Sequence, residues 1–233
     1  MYFQIFLIIA AFIIFLFLVF ALSNDDFVLL RKNVSTEGLF NLAILTSFFG
    51  LFSARFLYVA LNPNIKFLNP FVFFLFPYFP GLSLAGGVIG GSFFALFLAS
   101  RNKMPGVRVL DIFSISFLGS LVFVFFIKFL DLLIFERKFF LLDTLTFASC
   151  LIFFSLVIYL FLRSKIKDGA SSLFILIFFS ILGIGVNAIS KDPKLLFFLS
   201  KESFVLIPIF LFSIFVLFKK IKLDFKKDLK LKK

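Results

Sequence analysis

Polar residues break this chain only in short clusters, and between the clusters run long stretches in which almost every side chain is apolar. About 20 residues at helical rise cross the hydrocarbon core of a bilayer, so each long stretch predicts a transmembrane helix. Seven are expected, at 3–22, 39–61, 84–99, 109–135, 140–162, 173–189 and 204–218, of which the third and sixth are short. The alternation of apolar and polar positions that barrel strands require is absent. In lipid each backbone amide must bond within its own segment, which leaves helices as the spanning structure. The pattern therefore predicts an all-α membrane protein, with a seven-helix domain at 1–218 and a lysine-rich tail at 219–233.

Composition strengthens this picture: 62% of residues are hydrophobic and 21% aromatic, against 15% charged. Seven spans and their loops use nearly all 233 residues, so no separate soluble domain is expected. The first span has no basic residue before it and is too long for a signal-peptide core, and it is expected to stay in the mature protein.

The net charge of +12 raises the question of nucleic acid, which the distribution of the charge answers. With the amino terminus outside, sixteen Lys and Arg fall on inner segments, at 31–32, 101–108, 163–167 and 219–233, and six on outer ones. The excess follows the positive-inside rule, so an outer amino terminus and a cytoplasmic carboxyl terminus are expected. Attraction to anionic lipid, or simple lysine enrichment, accounts for the tail without a nucleic-acid partner.

Candidate chemistry is sparse. The chain has no histidine, which excludes histidine acid–base catalysis, and its single cysteine, Cys150, falls in mid-span. No metal site of the His/Cys type, no phosphate loop and no hydrolase elbow is present, and no cofactor is implied. Charges inside spans are the default functional candidates, because each costs about 2.5–3.5 kcal/mol at a helix centre. Arg55 in the second span either snorkels outward or binds a phosphate, for which its guanidinium is suited. Lys128 and Asp131, three residues apart on one face of the fourth span, form a polar pair that can neutralise itself. Asp111 and Asp143 lie near span ends, where they face water or cap a helix.

One segment is rich in glycine: in "GLSLAGGVIGG", Gly86, Gly87, Gly90 and Gly91 provide two small-xxx-small spacings that fit close helix packing or the approach of a lipid head group. The stretch before it, "NPNIKFLNPFVFFLFPYFPG", places four prolines in an aromatic run on the outer side. No regular spanning helix forms there, and an interfacial or re-entrant arm between the second and third spans, admitting lipid sideways, is expected beside the plainer reading of an outer loop.

These segments together resemble the bacterial prolipoprotein diacylglyceryl transferases, and the likeness runs over nearly the whole chain. "GLFSARFLYVALN" is similar to the family's Gly-x-x-x-Ala-Arg-x-x-Tyr-Val stretch, with Arg55 and Tyr58 on the matching positions. "GLSLAGGVIGG" resembles Ser-Phe-His-Gly-Gly-x-x-Gly, with Ser83, Gly86, Gly87 and Gly90 matching; the basic loop "RNKMPGVRVLD" with Asp111 then follows in order. "KDGASSLFILIFF" and "LSKESFVLIP" resemble the starts of the last two spans. The resemblance implies an inner-membrane protein of seven spans that takes phosphatidylglycerol and a prolipoprotein signal peptide as partners and moves a diacylglyceryl group to the lipobox cysteine. It also implies lipid-binding roles for Arg55, Tyr58, Ser83, Gly86, Gly87 and Gly90.

The departures fall on the chemistry. Ala85 stands at the motif histidine. The Gly-Arg-x-Gly-Asn-x-x-Asn-Gly-Glu signature falls on "VFVFFIKFLD" and beyond, with Phe125 at the arginine, Lys128 and Asp131 at the asparagines and Leu133 at the glutamate. The Gln-Leu-Tyr-Glu motif is unmatched near "DTLTFAS", the later arginine and glutamate fall near Gly183 and Asn187, and Lys191 stands where another arginine is expected. Losing one transition-state donor commonly costs about 10²–10³ in rate, and several are missing. The sequence thus points to a transferase-like, phospholipid-binding protein with a degenerate site and no assignable catalytic residue. Two alternatives stay open: an active transferase using Lys128 and Asp131, and a small transporter or channel lined by Arg55, Lys128 and Asp131.

Overall fold

A computed structural model describes residues 2–24, 26–63, 67, 73, 81–131, 134, 141–163, 167–189 and 203–231. The described chain folds as eight α-helices without a strand: α1 Tyr2–Asn24, α2 Phe27–Arg31, α3 Thr36–Leu61, α4 Leu84–Arg101, α5 Gly106–Asp131, α6 Leu141–Leu162, α7 Ala170–Ile189 and α8 Ser203–Leu231. Among these, α1, α3, α4, α5, α6 and α8 are long and apolar enough to cross a membrane. Ala170–Val186 in α7 is a shorter apolar stretch.

Several helices begin about a turn before the apolar runs do, because the first turn is set by capping rather than by hydropathy. Ser35 accepts a hydrogen bond from the amide of Gly38 and so starts α3 ahead of Leu39. Ser83 accepts one from Gly86 at 3.0 Å and fixes the start of α4. At the other extreme, α8 carries on past the apolar run through the lysine-rich segment to Leu231, as lysine's helix propensity allows.

The long helices run alternately up and down, and α5 is the central one. Its apolar window is 67% buried, against 11–28% for the other five spanning candidates. A helix that is apolar on all sides belongs in the middle of a bundle, where no face meets solvent or lipid. Gly119 lets α1 and α6 close on it: an added Cβ there would meet Leu18 Cδ1 at 2.5 Å and Phe154 Cε2 at 2.9 Å. Phenylalanines fill the spaces between, as in the stack of Phe153 on Phe178 at 4.1 Å between α6 and α7.

The bundle has two unlike ends. One gathers the α1–α2 turn, the α4–α5 turn, the α6–α7 turn and Lys220 of α8, and most of the exposed described cations lie there. We call it the basic end. The opposite end holds the finish of α3, the start of α4 and the described part of the segment between them, and we call it the arm end. The prolines at 70, 77 and 80, together with Leu133, Lys191, Lys194 and Lys201, lie outside the described residues.

Candidate functional site

At the arm end, α3 and α4 approach each other closely through glycine. A Cβ on Gly86 would lie 2.7 Å from Leu57 Cβ and 2.8 Å from the Ser53 carbonyl oxygen, and one on Gly90 would lie 2.1 Å from Ser53 Cβ. Gly87 lies in ordinary contact with Ala54, whereas Gly91 has open space beside it. These glycines therefore seat α4 on α3, the helix-packing use of small-xxx-small spacing.

Arg55 projects from α3 into this corner and is 3% exposed. It does not snorkel: Nε donates to the Phe73 carbonyl at 3.0 Å and Nη1 to the Gly81 carbonyl at 2.7 Å. Its guanidinium lies 5.6 Å from the Tyr58 ring and 5.1 Å from that of Phe67. Gly81 takes φ +151, and an added Cβ would strike the Tyr58 ring at 2.1 Å, so only glycine fits against that ring. Ser83 is fully buried; its amide donates to the Ala54 carbonyl at 3.0 Å while its hydroxyl caps α4. The structure thus brings Arg55, Tyr58, Ser83, Gly86, Gly87 and Gly90 together, and each has a visible role in holding α3, α4 and the adjoining segment.

One turn along, the picture changes. Ala85 and Phe125 lie in one buried apolar cluster with Cys150, Phe179, Val186 and Leu206, contributed by α4, α5, α6, α7 and α8. Ala85 is 0% exposed and Phe125 4%. Gly183 is buried as well.

Lys128, toward the end of α5, has the carboxylates of Asp143 on α6 and Asp131 on its own helix as electrostatic neighbours. Spacing along one helix suggested Asp131; Asp143 joins only because α5 and α6 pack side by side. Among the described residues, no three His, Cys, Asp or Glu side chains gather closely enough to hold a metal ion.

The best-defined polar cluster is at the basic end and was not foreseen as a unit. Arg108, at the start of α5, binds Asp26 Oδ2 through Nε at 2.8 Å and Nη2 at 2.7 Å, and Asp168 Oδ1 through Nη1 at 3.0 Å. Its guanidinium also lies 4.1 Å from the Phe161 ring. Asp26 caps α2 as well, accepting from Val28 and Leu29. Asp111 caps a helix, but not its own: fully buried, it accepts from the amides of Gly169 and Ser172 (2.8 Å for the latter) at the start of α7. Gly169 takes φ +80, and Lys220 donates to the Asp168 carbonyl beside it. The residue before "FVLLR" has the character of an N-cap, which is the one local signal; the partners of Arg108 are 82 and 60 positions away.

A bundle of apolar helices, most of them of membrane-spanning length, with a glycine-seated helix pair and a buried arginine, is a multi-pass integral membrane protein. The sequence model of the prolipoprotein diacylglyceryl transferases matches residues 3–126, more than half of the chain, and the chain belongs to that family. No curated protein and no solved structure matches it.

Proposed function

We propose that this chain is a transferase-like membrane protein that binds phospholipid at the α3–α4 face and has a degenerate active site. The observation that carries the reading is the apolar cluster. The positions that the family resemblance assigns to the motif histidine and arginine, Ala85 and Phe125, lie in one buried apolar cluster with Cys150 and Phe179, and neither side chain is a donor or a base. Departure of a glycerol phosphate needs preorganised cationic donors, and activation of a thiol needs a base. Neither is supplied by alanine, phenylalanine or leucine.

Arg55 is the donor left for a lipid phosphate, with Tyr58, Ser83, Gly86, Gly87 and Gly90 shaping the wall around it. A guanidinium carries five N–H donors in a fork that fits phosphate oxygens. It now holds the carbonyls of Phe73 and Gly81, which a lipid phosphate would have to replace as acceptors. Phosphatidylglycerol and a prolipoprotein signal peptide are the partners the family suggests, in the bacterial cytoplasmic membrane. α7 is the sixth span in this reading and brings their number to seven, the amino terminus is outside, and the tail at 219–233 is cytoplasmic. The alternation of the helices and the charge of the basic end support that topology. A cysteine introduced at Lys103 should then react with an impermeant reagent only after the membrane is opened.

The deciding assay incubates the purified chain with a lipobox peptide and labelled phosphatidylglycerol. No label should reach the peptide cysteine, with Ala85→His as inactive as the parent, while the protein retains phosphatidylglycerol in a manner that Arg55→Ala weakens. Label on the cysteine would establish the competing reading, an active transferase, and loss of that label on Lys128→Gln or Asp131→Asn would assign the transfer to that pair. Equal lipid retention by Arg55→Ala would remove the lipid site.

A further inference from the structure

At the basic end, a recess of about 540 Å³ opens between α2 and the turn before α7, lined by Phe27, Val28, Arg31, Lys32 and Asp168. It lies at the opposite end of the bundle from the face just described. Its chemistry can be read from which of these groups already have partners.

Asp168 is the one acid in the lining, and its Oδ1 is held by Arg108 at 3.0 Å. Asp26, next to Phe27 in the chain, is held by the same guanidinium at 2.7 Å. Arg31 and Lys32 are exposed, and neither pairs with a carboxylate among the described residues. Lys220, donating to the Asp168 carbonyl, adds a further cation at the rim. The recess is therefore net positive, because Arg31, Lys32 and Lys220 outweigh the one negative charge that Arg108 leaves uncompensated on Asp26 and Asp168.

The rim is apolar. Phe27 is 83% exposed, Leu30 56% and, on the start of α5, Val107 51%. All three lie where α1 finishes and α5 begins, and the ends of helices that cross a bilayer fall at its interface, where an uncovered phenylalanine carries no penalty. α2 is also held in place rather than left as a loop. Asp26 caps it through Val28 and Leu29, and Asn33, at φ 51, closes it with its amide on the Leu30 carbonyl at 3.0 Å. Arg31 and Lys32 are thus presented from a fixed turn, which lowers the ordering cost of binding.

We propose that this recess binds the head group of an anionic phospholipid from the leaflet at the basic end, with Arg31 and Lys32 on the phosphate and Phe27 against the upper part of an acyl chain. Cations alone would serve a soluble phosphate equally well; cations beneath an apolar rim at interfacial depth suit an amphiphile. This site stands whether or not the α3–α4 face holds lipid.

The test uses the full-length chain in non-ionic detergent, titrated with short-chain phosphatidylglycerol, the matched phosphatidylcholine and inorganic phosphate, with bound lipid counted by native mass spectrometry. The double variant Arg31→Gln/Lys32→Gln should weaken phosphatidylglycerol binding about thirtyfold and leave phosphatidylcholine unchanged, given the usual attraction per basic residue near an anionic surface. The charge-conserving Arg31→Lys/Lys32→Arg should keep most of the affinity. Lys103→Gln, which removes an exposed cation outside the lining, should change nothing. Unaltered binding in the double variant, an equal loss for both lipids, or an equal loss in Lys103→Gln would overturn the site. Displacement of the lipid by inorganic phosphate would overturn its assignment to lipid. Each variant is also read in an Arg55→Ala background, so that failure of the arm-end site and failure of this one appear as separate losses of one bound lipid.

Discussion

At the basic end, Arg108 grips Asp26 and Asp168 while Asp111 holds two amides of another helix. At the arm end, Ala85 and Phe125 occupy an apolar cluster, and Arg55 holds backbone carbonyls. Both ends hold segments that resemble the family's motifs, yet the charged groups of the basic end meet in one network, whereas Ala85 and Phe125 at the arm end lie in hydrocarbon. The contrast separates two kinds of constraint. A buried ion-pair network that joins three segments cannot lose one member without stranding another in a dry interior. A group that serves only a reaction touches nothing the fold needs, and a small or apolar residue replaces it at little cost.

If that division is right, the largest effects on stability belong to the basic end. Arg108→Ala strands two carboxylates, one of them almost fully buried, and should lower unfolding stability by about 3–5 kcal/mol in detergent-based unfolding measurements. An effect within error would show the network to be ornamental. Asp111→Ala comes next: loss of the charged acceptor for two amides should cost about 1.5–3 kcal/mol, and hydrogen exchange should accelerate at the start of α7 and not at that of α4.

The arm end should respond through packing. Gly90→Ala drives a methyl into Ser53 Cβ, which rotation of the serine cannot clear, so the α3–α4 contact must open at a cost of about 1–3 kcal/mol. Gly91→Ala is the smallest and has the opposite sign. With nothing within 4 Å of the new methyl, it should be neutral or stabilising by up to about 1 kcal/mol through helix propensity alone. Similar losses in the two glycine variants, by thermal unfolding, would break the argument that one glycine of the stripe is in contact and its neighbour is not.

Much of the helical skeleton was legible because hydropathy alone decides where a helix crosses lipid. The expected stretch at 84–99 became Leu84–Arg101 and that at 140–162 became Leu141–Leu162. The starts of α3, α5 and α7 were read three residues late, because Thr36, Gly106 and Ala170 belong to polar or small first turns that hydropathy does not count. The glycine stripe and Arg55 were legible as candidates, from spacing and from the cost of an intramembrane charge. Their partners were not: nothing local says that a guanidinium finds the carbonyls of Phe73 and Gly81, or that Asp143 joins Lys128. For Asp111 the sequence leaves open water or a helix cap and names no helix, since the one it caps begins 59 residues later in the chain.

What the sequence by itself determined is the solvent, most of the spans and the family to which the motif order points, because each follows from composition and order along one dimension. The tertiary structure alone decided which charges meet. Pairing across 60 or 82 residues depends on how helices stack around α5, and a side chain's electrostatic role is set by the group across the gap rather than by its neighbours in the chain.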